Sequence, residues 1–506
     1  MKNQRRLGFV LSYISIFVSS MVGIAFTPYM ISTLGKIEYG LYQLLYATIG
    51  YFALLDFGLG STQTRFIIKY RSEGNEDKVN SVISISLKIY CFIAALVLLL
   101  VMIFSSKLDR IYPGSINGEN LEYAQKLFVI MGATTAISLI SHALSGIQTA
   151  EEKYVYIKGI YIARQVVRVV IAIVLLQLNI GAMAIVLTDF FVTATLLLMD
   201  ILFCKMVLKV KLLKGKWDFA LTKSLFAFSF FVFLQIIITQ SNASVSRMLL
   251  GALSTLEVVA MYGIITQLCQ ISGSISNVVC GVTFPQISRV VFSNPERNTL
   301  TNCCAQYSRY QLLISAPLLG GFLLLGKTFM SLWVPEYDSS ALWICTMIIL
   351  FPEVLATVQG TVFHVMKAKN MQKMRSLILF GVMVVNIVLT ILLINVSPIY
   401  GPAISTSVSY ILGNILLSNI YYHKRVGVNI FLYIKTLLKG IFPAWVLSLL
   451  IGLAIAMIPV GGWFGFILKG VLYTGQYCIL VLLIGFNKSE KALIKQLCNK
   501  FFKKNI

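Results

Sequence analysis

The sequence has few of the residues on which most enzymes and metal sites depend. Its 506 residues include 19 Asp and Glu and 3 His, and its nine cysteines form no CxxC pair. Zinc sites need Cys or His at short spacings, and we assign the cysteines to packing. The sequence also has no glycine-rich P-loop and no Ser-His-Asp arrangement. We therefore predict a protein that is not an enzyme and has no metal or cofactor, with Na+ or H+ as possible coupling ions.

Long polar stretches are also absent, and apolar runs take their place. Hydrophobic residues make up 58% of the chain, and the mean hydropathy is +0.84. A helix needs about 20 apolar residues to cross the hydrocarbon core of a membrane. The sequence predicts an all-α polytopic membrane protein with about 14 transmembrane helices, at roughly 8–31, 41–64, 82–104, 124–147, 157–178, 181–203, 223–249, 257–282, 303–326, 341–366, 376–395, 401–422, 437–459 and 462–486.

Basic residues are distributed unevenly between the two sets of loops. The net charge of +23 could suggest a nucleic-acid partner, but 31 of the 42 Lys and Arg lie in the two tails and in alternate loops. The opposite loops carry only Lys36, Lys107, Arg110 and Lys327. Cytoplasmic loops of membrane proteins carry this excess of Lys and Arg. We predict that both termini are cytoplasmic and that no nucleic acid binds.

The loops on the opposite side are short. The longest covers about residues 105–122. A membrane glycan polymerase or ligase usually carries its chemistry on a much larger external loop, so the sequence disfavours that class of enzyme.

The chain repeats weakly at an offset of about 220 residues. The matching features are Tyr39-Gly40 with Tyr262-Gly263, Arg65 with Arg289, Lys88 with Arg309, and Gly181-Ala182 with Gly401-Pro402-Ala403. Parallel repeats of this kind are typical of transporters that alternate access to a site between two lobes. We predict a six-helix lobe at 1–204, a basic linker at 205–222, a second six-helix lobe at 223–425, two additional helices at 426–487 and a basic tail at 488–506.

Four basic residues within the predicted helices are candidates for binding an anion. Arg164 and Arg168 lie one turn apart on one helix face, and an arginine at mid-membrane costs about 2.5–3.5 kcal/mol. Lys88 and Arg309 lie at equivalent places in the two halves. Arginine binds phosphate bidentately and stays charged. The alternative is structural: ion pairs with Asp189 or Glu353 for the arginines, and contact with headgroups for Lys88 and Arg309.

Three acidic residues within the predicted helices are candidates for ion coupling or for ion pairs. Asp56 lies in the segment Leu54 to Gly60, Asp189 lies in the sixth predicted helix, and Glu353 follows Pro352 in the tenth. Proline in a membrane helix frees backbone carbonyls, which could help to bind a cation. For Asp56 we favour an ion pair with a nearby basic residue.

The N-terminal part of the chain resembles bacterial oligosaccharide flippases of the Wzx type. The resemblance rests on Thr27-Pro28-Tyr29-Met30, Leu34-Gly35, Tyr39-Gly40-Leu41-Tyr42, Leu55-Asp56-Phe57-Gly58-Leu59-Gly60-Ser61 and Thr64-Arg65-Phe66. These flippases belong to the polysaccharide transporter branch of the superfamily that contains the multidrug and toxin extrusion (MATE) transporters. The resemblance implies a MATE-like fold with two six-helix lobes.

The resemblance also implies a function in the bacterial cytoplasmic membrane. The substrate would be an oligosaccharide repeat unit on undecaprenyl diphosphate, which moves from the inner to the outer leaflet for the synthesis of O-antigen, capsule or exopolysaccharide. Lys88, Arg164, Arg168 and Arg309 could then bind the diphosphate. Membrane lipids, a polysaccharide polymerase and glycosyltransferases would be partners. The alternatives are a cation-coupled multidrug exporter and a flippase for peptidoglycan-precursor lipids.

Overall fold

The computed structural model describes residues 2–116, 118–210, 215, 217–293, 295–369, 371–487 and 490–491. These residues form helices joined by short turns, with no strand among the described positions. The prediction of an all-α polytopic membrane protein is confirmed.

The chain divides into two units, the first formed by residues 1–264 and 387–398 and the second by 265–386 and 399–506. In the first unit, α3 packs on α5, α5 on α7, and α1 on α6. Its helices are α1 (Lys2–Phe52), α2 (Leu59–Ser72), α3 (Glu76–Ser105), α4 (Leu108–Ile111), α5 (Gly118–Ala150), α6 (Tyr154–Leu176), α7 (Ala182–Leu202), α8 (Phe219–Leu253) and the first part of α9 (Leu256–Phe292). The boundaries of the predicted lobes remain predictions.

In the second unit, α10 packs against α11, α16, α17 and α18, and α11 packs against α14. Its helices are α10 (Arg297–Trp333), α11 (Ser339–Val358), α12 (Gly360–Ala368), most of α13 (Gln372–Ile394), α14 (Tyr400–Tyr410), α15 (Ser418–Tyr421), α16 (Ile430–Leu438), α17 (Ile441–Ala456) and α18 (Gly462–Leu480). Short π-helical segments extend several of these helices, at Ile411–Leu417, Tyr422–Val426 and Val481–Gly485.

Polar side chains at the helix starts set several of these boundaries. Asn75 caps α3 by accepting the amide of Lys78 at 3.0 Å, and Asp218 caps α8 by accepting the amide of Leu221 at 3.1 Å. Asn429 does the same for α16. The first amides of a helix have no partner within it. These caps therefore fix where each apolar run enters helical structure.

The number of spans agrees with the prediction once two long helices are considered. Among the described residues, 11 helices are long and apolar enough to cross a membrane, or up to 12 if α16 and α17, bent by 44°, form one span. That count treats Val10–Ser72 as one span, although Gly35 interrupts α1 with φ 72°. It also omits α8, whose central side chains are outside the described residues. A break at Gly35, a span at α8 and the pair α16–α17 counted as one span account for the difference between 11 and 14.

The outer faces of the helices are apolar. On α6, the exposed residues include Val166, Val167, Val170, Ile171 and Val174. Such a continuous apolar stripe would be unfavourable in water, and it is the surface that a membrane helix presents to lipid. The buried and polar side chains of α6 therefore face the interior of the protein.

Candidate functional site

Helices α6 and α7 form an antiparallel hairpin that holds the two predicted arginines. Asn179 and Gly181, both with positive φ, form the turn between them. Arg168 on α6 donates two hydrogen bonds to the carboxylate of Asp189 on α7, the one from Nη2 to Oδ2 being 3.0 Å long. The Arg168 and Asp189 side chains are 21% and 22% exposed. The structural alternative for Arg168, an ion pair with Asp189, is therefore present.

Arg164 is held more loosely, one helical turn from Arg168. Its Nη2 donates to Thr193 Oγ1 at 3.2 Å, and this is its only hydrogen bond among the described residues. Thr193 lies one turn after Asp189 on α7. A guanidinium has five N–H donors. The half-buried Arg164 therefore keeps donors for an anion, while Asp189 fixes the orientation of Arg168.

Tyr42 adds a third group beside this pair. Its hydroxyl lies 3.5 Å from Arg168 Nη2, and its ring stacks on that of Tyr46 at 6.0 Å between centroids. Tyr42 lies in the motif that follows Gly35, and Tyr46 lies one helical turn after it. The N-terminal motif and the arginines of α6 are thus parts of one cluster.

Asp56 lies at a break in the helical chain. A 3-10 turn, Ala53–Asp56, is followed by Phe57 and Gly58, both in the left-handed region with φ 49° and 67°. A left-handed non-glycine residue costs roughly 1–2 kcal/mol. Asp56 accepts a hydrogen bond from the Tyr90 hydroxyl on α3, and its Oδ1 lies 3.9 Å from Nδ1 of His142 on α5. These partners are a tyrosine and a histidine, and an ion pair of Asp56 with a basic residue remains a prediction.

Lys88 projects from a part of α3 that is otherwise buried. Within positions 82–90, all of them described, it is the single exposed residue. Its Nζ lies 5.9 Å from the centre of the Trp217 ring. A cation over an indole ring is weakly attracted to it. The structure therefore places Lys88 beside the segment predicted to be a linker, and its role in diphosphate binding remains a prediction.

Arg309 on α10 is completely buried, and all three of its nitrogens donate to protein acceptors. Nε and Nη2 bind the two carboxylate oxygens of Glu490, at 2.7 and 3.0 Å. Nη1 binds the carbonyls of Thr436, Leu437 and Lys439, and Nη2 also binds that of Gly485. Diphosphate binding by Arg309 would require these bonds to open, and it remains a prediction.

Glu353 on α11 lies in a narrow site with Cys269 of α9. The Cys269 thiol interacts with its carboxylate. A Cβ atom at Gly273 would lie 3.1 Å from Glu353 Oε1, so the glycine leaves room for the acid. Ion coupling by Glu353 remains a prediction.

Two buried polar clusters were not predicted from the sequence. Asp200 accepts hydrogen bonds from Gln148 Nε2 at 2.8 Å and from the Tyr156 hydroxyl at 3.2 Å. Arg247, 7% exposed, donates to Gln43 Oε1 at 3.2 Å. Gln43 lies three residues after the repeated pair Tyr39-Gly40. That repeat was the feature of the sequence that could have pointed to the cluster of Gln43 and Arg247. Asp200 lies near a helix end, where a charge ordinarily reaches water.

The second unit contains an apolar cavity of about 300 Å³. It lies between helices α9, α10, α11 and α18, and a membrane-spanning helix supplies each wall. Its lining residues include Ile271, Pro317, Phe322, Phe329, Phe466 and Tyr473.

These features define the class of the protein: a polytopic membrane protein with charged groups held inside a helical fold. The chain belongs to the polysaccharide biosynthesis protein family, whose model matches residues 7–291. The matched region contains the N-terminal motif, Asp56, Lys88 and the α6–α7 hairpin. The resemblance to polysaccharide flippases is thus confirmed.

Three known proteins extend the comparison over most of the chain. The uncharacterized membrane protein EpsK of Bacillus subtilis (strain 168) is 23% identical over 517 residues, which cover 96% of this chain and 97% of EpsK. The lipid II flippase MurJ in an inward closed conformation has a TM-score of 0.66 at 14% identity, covering 93% of this chain and 98% of MurJ. An inward-facing MATE family multidrug resistance transporter of the MOP superfamily has a TM-score of 0.65 at 12% identity, covering 81% of this chain and 94% of that chain. The two structures establish a shared fold.

Proposed function

We propose that the protein moves an oligosaccharide linked to undecaprenyl diphosphate from the inner to the outer leaflet of the bacterial cytoplasmic membrane. Membership of the polysaccharide biosynthesis family supports the class of substrate. The observation that carries the proposal is the pair Arg164 and Arg168 on one face of α6, with Arg168 oriented by Asp189.

The chemistry of the diphosphate fits this pair. A diphosphate presents several negatively charged oxygens, and arginine binds such groups through two parallel N–H donors. Asp189 neutralises one arginine and fixes its direction, which leaves about one net positive charge on the hairpin. Excess positive charge at this depth is costly without an anion. An anionic substrate would offset that cost.

The lipid part of the substrate needs an apolar site. The cavity of about 300 Å³ in the second unit is lined mainly by aliphatic and aromatic side chains. Polyprenyl chains are long hydrocarbons, and burial of apolar surface stabilises their binding. We propose that this cavity takes part of the undecaprenyl chain.

The topology of the chain completes the proposal. The excess of basic residues in alternate loops supports cytoplasmic termini. The weak repeat supports two lobes at 1–204 and 223–425 that alternate access to the substrate. A polymerase and glycosyltransferases are proposed as functional partners because they would consume and supply the repeat unit.

The test is reconstitution of the full chain in liposomes that contain a labelled undecaprenyl-diphosphate oligosaccharide. Translocation is measured as access of the label to a probe outside the vesicle. We expect translocation with the native protein and its loss in the Arg164→Ala/Arg168→Ala double variant. Lys126→Ala is the matched control, because Lys126 is an exposed lysine paired with Glu122 on the same helix at 2.6 Å.

Each other outcome leads to a different conclusion. Translocation by the double variant at the native rate would show that Arg164 and Arg168 do not bind the diphosphate. Failure of the native protein with several glycans would overturn the proposed function. Clear drug resistance on expression would instead support the multidrug-exporter alternative.

A further inference from the structure

The break in the first unit places three ionisable side chains together. Asp56 ends the 3-10 turn before the left-handed residues Phe57 and Gly58. Tyr90, buried on α3, donates its hydroxyl proton to the Asp56 carboxylate. His142 Nδ1 lies 3.9 Å from Asp56 Oδ1. Irregular backbone at membrane depth occurs where it is buried in protein or lines a water-filled cavity.

The exposure of His142 indicates that this break lines a water-filled cavity. Its side chain is 54% exposed and that of Asp56 is 21% exposed. Among positions 127–150, all of them described, His142 is the single exposed residue. A lipid-facing helix such as α6 has a continuous exposed apolar stripe, which this part of α5 does not have. This pattern of exposure is the one expected of a residue that lines a water-filled cavity beside Asp56.

The charges around Asp56 leave this pair without a basic partner. The helices packed against the turn are α1, α3, α5 and α8. From α3 come Tyr90, the neighbouring Cys91 and, on the preceding turn, Lys88, which lies against Trp217. From α5 comes His142.

Among the described residues, the remaining helices supply no hydrogen bond or ion pair to Asp56 or His142. On α1 the last ionisable residue is Tyr51, whose electrostatic interaction is with Arg247. Helix α8 has no charged or titratable residue between Lys223 and Arg247, and its Phe233 packs on Phe57 at 4.4 Å between ring centroids. On α2 itself, Arg65 lies over Phe228, at 4.3 Å from the ring centre.

We propose that Asp56 and His142 form a proton-binding site that couples proton entry to transport, an inference that rests on the proposed function. Intramembrane Asp and His in sequence are the usual elements of proton relays. A sodium ion would be a poor occupant because hard cations require several oxygen ligands. Here Asp56 is opposed by an imidazole nitrogen, and Tyr90 already occupies its Oδ1.

A proton can pass from the solvent to Asp56 through His142. Neutral His142 takes a proton from a hydronium ion and becomes imidazolium, which leaves a water molecule. A small rotation of the exposed ring closes the 3.9 Å gap, the Nδ1 proton moves to the Asp56 carboxylate, and neutral imidazole remains. The neutral acid no longer attracts the Tyr90 hydroxyl as strongly, since hydrogen bonds to a charged acceptor are about twice as strong. Protonation thus weakens a contact that holds the helix break against α3.

The first test needs no substrate. Infrared difference spectra of the full chain in lipid vesicles, recorded between about pH 5 and 8, report the carboxylic-acid C=O band. We expect one component of this band to grow as the pH falls, to be absent in Asp56→Asn and to remain in Glu122→Gln. Glu122 is an exposed acid of α5 paired with Lys126. An unchanged band in Asp56→Asn would overturn the proposal.

The second test asks whether proton binding at Asp56 and His142 is coupled to translocation of the substrate. Vesicles with an internal pH dye are given the labelled lipid-linked oligosaccharide, and proton uptake is recorded with translocation. We expect Asp56→Asn to lose both, Asp56→Glu to restore both, and His142→Gln to make translocation less dependent on pH. Elution of each variant as the native monodisperse species separates this loss from misfolding.

The two proposals can fail separately. Translocation driven by a sodium gradient and indifferent to pH would overturn the proton site and leave the flippase function standing. Absence of translocation by the native protein would overturn the function, while the infrared titration would still decide whether Asp56 binds a proton.

Discussion

Two arginine–carboxylate pairs, one in each unit, differ in how completely the protein surrounds them. Arg168 and Asp189 are about one-fifth exposed, whereas Arg309 and Glu490 are 0% and 2% exposed. Arg168 has one carboxylate and a distant tyrosine hydroxyl as partners. Arg309 has a carboxylate and four backbone carbonyls.

The difference separates a structural arginine from one that remains accessible. The carbonyls bound by Arg309 belong to the ends of α16 and of the π-helical segment after α18, where helices leave carbonyls without partners. Arg309 therefore joins α10 to the ends of the last helices. Arg168 is fixed in direction by Asp189 but remains about one-fifth exposed.

Replacement of Arg309 should have the largest effect on stability. Arg309→Ala leaves Glu490 as a buried charge without a partner, and we expect a loss of about 3–5 kcal/mol. The thermal unfolding midpoint in detergent measures this. The double variant Arg309→Met/Glu490→Leu should recover most of the loss, because it removes both charges. If the Arg309→Ala protein is as stable as the native one, Arg309 is not a structural arginine and the two pairs do not differ in this respect.

Replacement of Arg168 should affect transport more than folding. Arg168→Ala removes a charged hydrogen bond to a partly exposed acid, so we expect a stability loss of about 1–3 kcal/mol and loss of translocation. Adding Asp189→Asn should restore stability but not translocation. Recovery of both would show that Arg168 serves only to neutralise Asp189.

Replacement of Arg164 should leave stability nearly unchanged. Its single described hydrogen bond is long, so Arg164→Ala should alter stability by less than about 0.5 kcal/mol. Translocation should fall roughly tenfold or more, since a charged hydrogen bond to the substrate contributes about 1.5–3 kcal/mol. Arg164→Lys should retain part of the rate. Equal rates in the Ala and Lys variants would show that charge is not what Arg164 supplies.

Loss of the contact between Lys88 and Trp217 should have the smallest effect on transport. Trp217→Leu removes an exposed cation–π contact worth about 0.5–1 kcal/mol. We expect a small decrease in the thermal midpoint and little change in translocation. A larger loss would mean that the segment before α8 is held mainly by this contact.

The sequence predicted the helices well because each must satisfy its backbone within an apolar medium. It also predicted that Arg164 and Arg168 share a face, since that follows from four-residue spacing. It did not predict the break at Asp56, because Phe57 is a poor candidate for a left-handed residue and only Gly58 signals a turn. Nor did it find the partner of Arg309, because Glu490 is 181 residues away and lies in a basic segment that is typical of a solvated tail.

That distance has a consequence for how the chain is made. A ribosome adds about 5–20 residues per second, so roughly 10 to 40 s pass between the synthesis of Arg309 and that of Glu490. During this interval α10 enters the membrane with a cation whose counterion does not yet exist. Chains truncated before Glu490 should therefore be recognised by membrane quality-control proteases even though every span is already present.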